Sequence, residues 1–303
     1  MRGEQLAWVL GLWGAVAVAA PRQQAGPPVL SARTDLVTLS VTVADERGAF
    51  VAGLRPEQFT VYDEGHPQAV EFFTSGAMPA TIGLVIDSSS SMRTRRPQLN
   101  AAADVLTGMR HPLDEWFTLH FNEAVWPGLP PGVDFTSDEA QFRAALAAPS
   151  RGMTALYDAL MRGLAQIQRG THDRKALIVA SDGGDNASAH ALADVVTAAR
   201  RAGVVIYAVR WADPDNREAR PETLKALAAE TGGRTFVIRA ADDLPRAFAD
   251  IAQEIRQAYV LGFTPSQMAD GRFHSIQVMV DLEDGRRLRA RTRAGYDAGQ
   301  PAK

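Results

Sequence analysis

Leu84-Val85-Ile86-Asp87-Ser88-Ser89-Ser90-Ser91-Met92 is an apolar run that ends in a carboxylate and a cluster of hydroxyls. A helical pattern begins a few residues later. A short apolar run bounded in this way predicts a buried strand of a mostly parallel sheet. In open sheets of that kind ligands bind beyond the carboxyl ends of the strands, so Asp87 is expected at a binding edge. Alternate residues of an extended loop point the same way. Asp87, Ser89 and Ser91 can therefore offer one carboxylate and two hydroxyls to a single point, a set of hard oxygen donors. Taken alone, Asp-x-Ser-x-Ser reads as a polar turn capping a helix.

Around this stretch the pattern repeats. Strand-like runs at Thr81 to Ile86, Trp116 to Phe121, Ala176 to Ala180, Val204 to Val209 and Thr235 to Ile238 alternate with helical stretches at about 96–109, 138–147, 154–168, 189–202, 221–231 and 242–257. Such alternation predicts a central, mostly parallel sheet with helices on both faces. Ser137 and Thr154 read as helix caps. Outside this unit the chain is β in character. Val37 to Val43 alternates apolar and small polar residues, Phe59 to Tyr62 and Val70 to Phe73 flank an Asp63-Glu64-Gly65 turn, and strand patterns return at Tyr259 to Phe263, Ser275 to Val280, Arg287 to Arg293 and Gly295-Tyr296. Two incomplete β segments can satisfy each other's open edges by pairing. The expected organisation is an α/β domain at 80–256 inserted into a small β-sheet or sandwich domain built from 34–76 and 257–297, with a tail at 298–303.

Two more segments bear on the Asp87 edge. Gly152-Met153-Thr154 opens a helix, and Ala180-Ser181-Asp182-Gly183-Gly184-Asp185 closes a strand. With these in place the chain resembles the von Willebrand factor type A family: Asp87, Ser89, Ser91, Thr154 and Asp182 match, in order and separation, the five positions of that family's metal-ion-dependent adhesion site. Met153 stands where a second Gly is common. The resemblance implies a Rossmann-like domain in which Ser89 and Ser91 bind the metal directly, Thr154 directly or through water, and Asp87 and Asp182 largely through water. Magnesium is the implied ion, with manganese or calcium as alternatives. A site with few direct anionic ligands leaves the cation under-neutralised, so an open position attracts a partner's Asp or Glu carboxylate. Asp35 to Leu39, Leu54 to Phe59, Tyr259 to Phe263 and Gly271 to His274 extend the resemblance to a bacterial subgroup of VWFA-related chains.

Composition narrows the function. The 32 basic and 35 acidic residues give a net charge of −3 with no basic concentration, which excludes a nucleic-acid partner. Cysteine is absent, which removes disulfides, thiolate metal sites and a cysteine nucleophile. The six histidines are scattered without zinc-hydrolase spacing, and the serine run lacks the nucleophile elbow of a hydrolase. Leu6 to Ala20 is an uncharged apolar run ending in small residues, read as a signal peptide (1–19) cleaved after Ala19, with a linker at 20–33. That reading expects an exported, periplasmic or extracellular protein, attached to a membrane only if the segment stays uncleaved. Arg93, Arg95 and Arg96 are expected beside the metal edge, Asp185 as a solvated loop residue with ordering of its loop or added local negative charge as the alternatives, and Asp158 as a cap or packing residue. The expected function is non-enzymatic, metal-dependent protein binding. The alternatives are a structural scaffold and, more remotely, a metal-dependent hydrolase.

Overall fold

The elements follow one another as β1 (Val37–Ala44), β2 (Phe59–Asp63), β3 (His66–Gln68), β4 (Phe72–Thr74), β5 (Ala80–Asp87), α1 (Arg96–Gly108), β6 (Glu115–Phe121), β7 (Val125–Pro127), α2 (Glu139–Ala144) and α3 (Leu156–Gln168). Then come β8 (Arg174–Ala180), α4 (Leu192–Ala202), β9 (Val205–Trp211), α5 (Pro221–Glu230), β10 (Thr235–Ile238), α6 (Asp243–Gln257), β11 (Tyr259–Phe263), β12 (Phe273–Val280), β13 (Arg289–Arg291) and β14 (Gly295–Asp297). The computed structural model describes residues 36–212, 220–266, 270–282 and 288–299. The expected signal peptide and linker, and the last residues of the tail, lie outside the described residues. Asp35–Lys303 forms one compact unit.

The central sheet has the order β10-β9-β8-β5-β6-β7 and is parallel except for the edge strand β7. Every residue of β5 is buried because helices cover both faces of the sheet. Ile82, Leu84 and Ile86 of β5 pack on one side with residues of α1 and α6, and Val85 packs on the other with residues of α3, α4 and α5. The chain moves from β5 to β6 in one direction and from β8 to β9 in the other. The reversal falls between β5 and β8, which is where open α/β sheets leave a crevice for ligands. β7 was not anticipated, since three residues ending in proline carry no readable alternation.

The flanking segments build two antiparallel four-stranded sheets, β13-β1-β11-β4 and β14-β12-β2-β3, around a shared core that includes Leu39, Val41, Val61, Tyr259, Leu261 and Phe263. Pairing between the two ends of the chain therefore completes the β layer. One strand assignment is corrected. The partner of β2 across the Glu64-Gly65 turn is β3, with Asp63 opposite His66, whereas β4 pairs with β11 in the other sheet. Both turn residues have positive φ, 50° for Glu64 and 78° for Gly65, which closes a two-residue hairpin at once.

Two crossings, near Gly76 to Met78 and near Arg256 to Ala258, join the β layers to the amino-terminal edge of the central sheet. The buried Arg174 guanidinium, at the start of β8, donates to the carbonyls of Gly76 (3.1 Å) and Ala258 (2.5 Å). Asp114, just before β6, accepts from Arg256 at 3.1 and 3.0 Å and from the Ala80 amide at 2.8 Å. The carboxyl-terminal edge of the sheet lies at the opposite end.

Candidate metal centre

β5 delivers Asp87 to the carboxyl-terminal edge, fully buried, with Ile86 in register with Ala180 of β8. Ser181 thus stands beside Asp87, and its hydroxyl donates to Asp87 Oδ2 at 2.7 Å. The other oxygen, Oδ1, accepts from the Ser89 amide at 2.8 Å and turns the loop back on itself. Ser89 Oγ lies 3.1 Å from Ser91 Oγ, and Ser91 Oγ donates to Asp182 Oδ2 at 2.8 Å. Asp87, Ser89 and Asp182 are buried, whereas Ser91 is exposed, so the cluster opens to solvent at Ser91.

The loop carrying Thr154 is bound to both others. The Ser90 amide donates to Gly152 O at 3.3 Å and the Arg151 amide to Ser88 O at 2.8 Å. On the other side the Thr154 amide donates to Asn186 Oδ1 at 2.9 Å, and its carbonyl accepts from the amides of Asn186 and Ala187. The hydroxyl of Thr154 makes no hydrogen bond among the described residues. Gly152 is required here: its φ is +83°, and an added Cβ would lie 1.9 Å from Glu123 Oε2. Met153 needs no second glycine, because its amide donates to Glu123 Oε2 at 3.0 Å while its side chain points outward, 54% exposed. All five residues singled out in the sequence thus lie on three loops hydrogen-bonded to one another.

Burial governs the electrostatics of the cluster. Burial pushes the Asp87 carboxyl up to about 6, and the hydrogen bonds from Ser89 and Ser181 only partly offset that. Beneath it lies Arg96, which is buried instead of lining the rim as expected. Its guanidinium donates to Ser88 Oγ at 3.2 Å and to Leu146 O at 2.7 Å, and reaches His120 Nδ1 at 3.4 Å. With Nδ1 accepting, His120 Nε2–H donates to Ala145 O at 2.8 Å. Burial, then the Arg96 charge, pushes His120 down to about 4, so the ring is neutral and Arg96 is the cation under the site. Arg95 lies at the rim, with Nη1 3.8 Å from Asp182 Oδ2, and Arg93 is exposed.

Other expectations are revised. α2 is capped by Asp138, which accepts from the Gln141 amide at 2.9 Å, and the N-cap position of α3 is Ala155 rather than Thr154, with no side-chain cap. Asp185 is a loop organiser, half-buried, accepting from the Tyr157 amide and from Ser188 Oγ. Asp158 accepts from the amides of Ala189 and His190 and fixes that same loop. Sequence reading missed Ser181, His120 and Glu123. Only Ser181 was accessible to it, as the hydroxyl next to Asp182.

These donors fit a hard divalent cation. They are oxygens only, and among the described residues no group of three or more His, Cys, Asp or Glu side chains could hold a metal. An ion here would depend on hydroxyl ligands and keep most of its charge.

The sequence matches the family model of the von Willebrand factor type A domain over residues 81–253. No curated protein matches it in sequence. Among solved structures, the fold is similar to a von Willebrand factor type A protein from Catenulispora acidiphila (TM-score 0.53, 14% identity, covering 86% of this chain and 74% of that one). It is also similar to proximal thread matrix protein 1 of the mussel byssus (TM-score 0.51, 16% identity, 62% and 48%). A third similarity is to a mutant PilB minor pilin from Streptococcus sanguinis (TM-score 0.50, 14% identity, 61% and 63%). This chain spans less than two thirds of the length of the byssus and pilin proteins.

Proposed function

Because the chain belongs to the von Willebrand factor type A family, whose domains are mostly protein-interaction modules, we propose that it binds a partner protein through a divalent ion held at the Asp87 edge. The observation that carries this reading is the convergence of three hydrogen-bonded loops on Asp87, a buried carboxylate whose charged form burial disfavours. Ser89, Ser91 and Thr154 would hold magnesium through their hydroxyls, and Asp87 and Asp182 through water. The ion would supply an electrophilic position for a partner's Asp or Glu side chain. Manganese or calcium would suit the same oxygens.

This chain's own residues shape that contact. Exposed Met153 stands beside the opening and exposed Arg93 and Arg151 flank it, so a partner segment with an apolar residue near its acidic one suits the rim. Arg96 holds the Ser88 hydroxyl from below. No step here breaks a covalent bond, and we read the protein as a binder rather than an enzyme. The apolar segment at 6–20 supports export, and among the described residues no helix is long and apolar enough to cross a membrane.

The test is calorimetric titration of chelator-stripped protein with magnesium and manganese, beside an Asp87→Ala/Ser89→Ala variant. Binding by the wild type that the variant loses is the expected result. Equal heats from both proteins would remove the site from this edge. Silence from both, with acetate present to complete the coordination, would leave a metal-free scaffold whose loops are held by their mutual hydrogen bonds, among them Ser91–Asp182 and Ser181–Asp87.

A further inference from the structure

A second site lies at the opposite, amino-terminal edge of the central sheet. Where α4 ends and β9 begins, the β layers close over a cavity of about 410 Å³, whose walls include Leu36, Arg200, Arg201, Arg293, Tyr296 and Asp297. We propose that this cavity binds a small organic anion, a carboxylate or phosphate monoester attached to a short apolar body.

Arg293 carries the argument. Its Nε is buried and has no hydrogen-bond partner among the described residues. Its Nη1 donates to the Arg200 carbonyl at 3.2 Å, and the guanidinium lies 5.7 Å from the Tyr296 ring centre, but no carboxylate pairs with it among the described residues. Arg293 is half-buried, and taking part of a guanidinium out of water without a counter-charge is costly, for which an anion is the usual answer. Burial accordingly pulls Arg293 down to about 10.

The neighbours sort into wall and ligand-facing groups. Arg200 is already neutralised by Glu230, at 2.9 and 3.2 Å, and stacks on Phe273 at 4.2 Å, so it belongs to the wall. Arg201 is exposed and makes no ion pair among the described residues, which leaves its charge for a ligand. Both sit in the last turn of α4 and offset the negative helix end that would otherwise repel an anion. Asp297 pairs with neither Arg201 nor Arg293 and can accept a hydrogen bond from a ligand hydroxyl or amine. Leu36 and the Tyr296 ring supply apolar surface. Two guanidinium groups that form no ion pair among the described residues, together with an apolar wall, match an anionic head on a short apolar body.

The experiment is calorimetric titration of the metal-free protein with phenyl phosphate, benzoate and inorganic phosphate in separate runs. Saturable binding of phenyl phosphate or benzoate is expected, weakened about tenfold or more in Arg293→Gln and in Arg201→Gln. Asp87→Asn, at the far edge, should bind as the wild type does, which separates this site from the metal edge. Whichever organic probe binds identifies the head group. The proposal is overturned if neither saturates, if Arg201→Gln binds as tightly as wild type, or if inorganic phosphate binds as tightly as phenyl phosphate. Should Arg293→Gln fail to fold by circular dichroism, the exposed Arg201 variant decides alone.

Discussion

Two buried titratable groups near the Asp87 edge oppose each other. Burial raises Asp87 from 3.8 to about 6. In metal-free protein its contribution to stability is therefore full below about pH 4 and is lost as the pH rises through 6. Burial lowers His120 from 6.5 to about 4, so its contribution is full above about pH 6.5 and is lost as the pH falls through 4. Each shift corresponds to about 3 kcal/mol, with opposite sign, and the two nearly cancel between pH 4 and pH 6. Asp87→Asn leaves the histidine unopposed. Its stability in denaturant should fall by about 2 kcal/mol between pH 7 and pH 4.5, a fall that is absent from the wild type. A wild-type protein losing just as much would mean that Asp87 ionises in its ordinary range.

Strand β5 owes its position to a glycine as much as to its apolar residues. Gly83 lies where an added Cβ would sit 2.2 Å from Phe117 Cζ and 2.7 Å from Leu177 Cδ1, so both neighbouring strands fill the space it leaves. Gly83→Ala should overpack this face and cost about 1–3 kcal/mol. Urea unfolding would report this as a lower midpoint at unchanged slope, and an unchanged midpoint would mean that Phe117 yields freely. The elements of the central sheet were legible in the sequence because apolar runs and helical spacing are local properties. The hairpin partner of β2 was misread because Val70 to Phe73 has the stronger alternation, whereas the turn at Glu64-Gly65 decided the pairing.

At the scale of the molecule, the β layers depend on both chain ends. β1 has β11 and β13 as neighbours, β4 has β11, and β2 has β12 besides its own hairpin partner. A chain ending at residue 256 would expose the edges of β1 and β4 together with the apolar residues that Leu261 and Phe263 cover. Such a truncation should bind a hydrophobic dye and be cut by protease between residues 37 and 74, while retaining the helical signal of the α/β part. Resistance of that segment would show that it folds without its partners.

The sequence alone determined the alternation of strands and helices, the two β flanks and the five oxygen-bearing residues, since each is written in composition, period or short motif. It could not say that Arg96 turns inward beneath Asp87, that Ser181 completes the hydrogen bonding of that carboxylate, or that Arg293 lines a cavity with no carboxylate paired to it among the described residues. Those facts depend on which distant segments share space: Ser181 is 94 positions from Asp87, and Arg293 is 93 from Arg200. Local pattern specifies what a segment becomes, but the neighbours of a buried charge are chosen only when the layers pack, and those neighbours set its protonation and its available ligands.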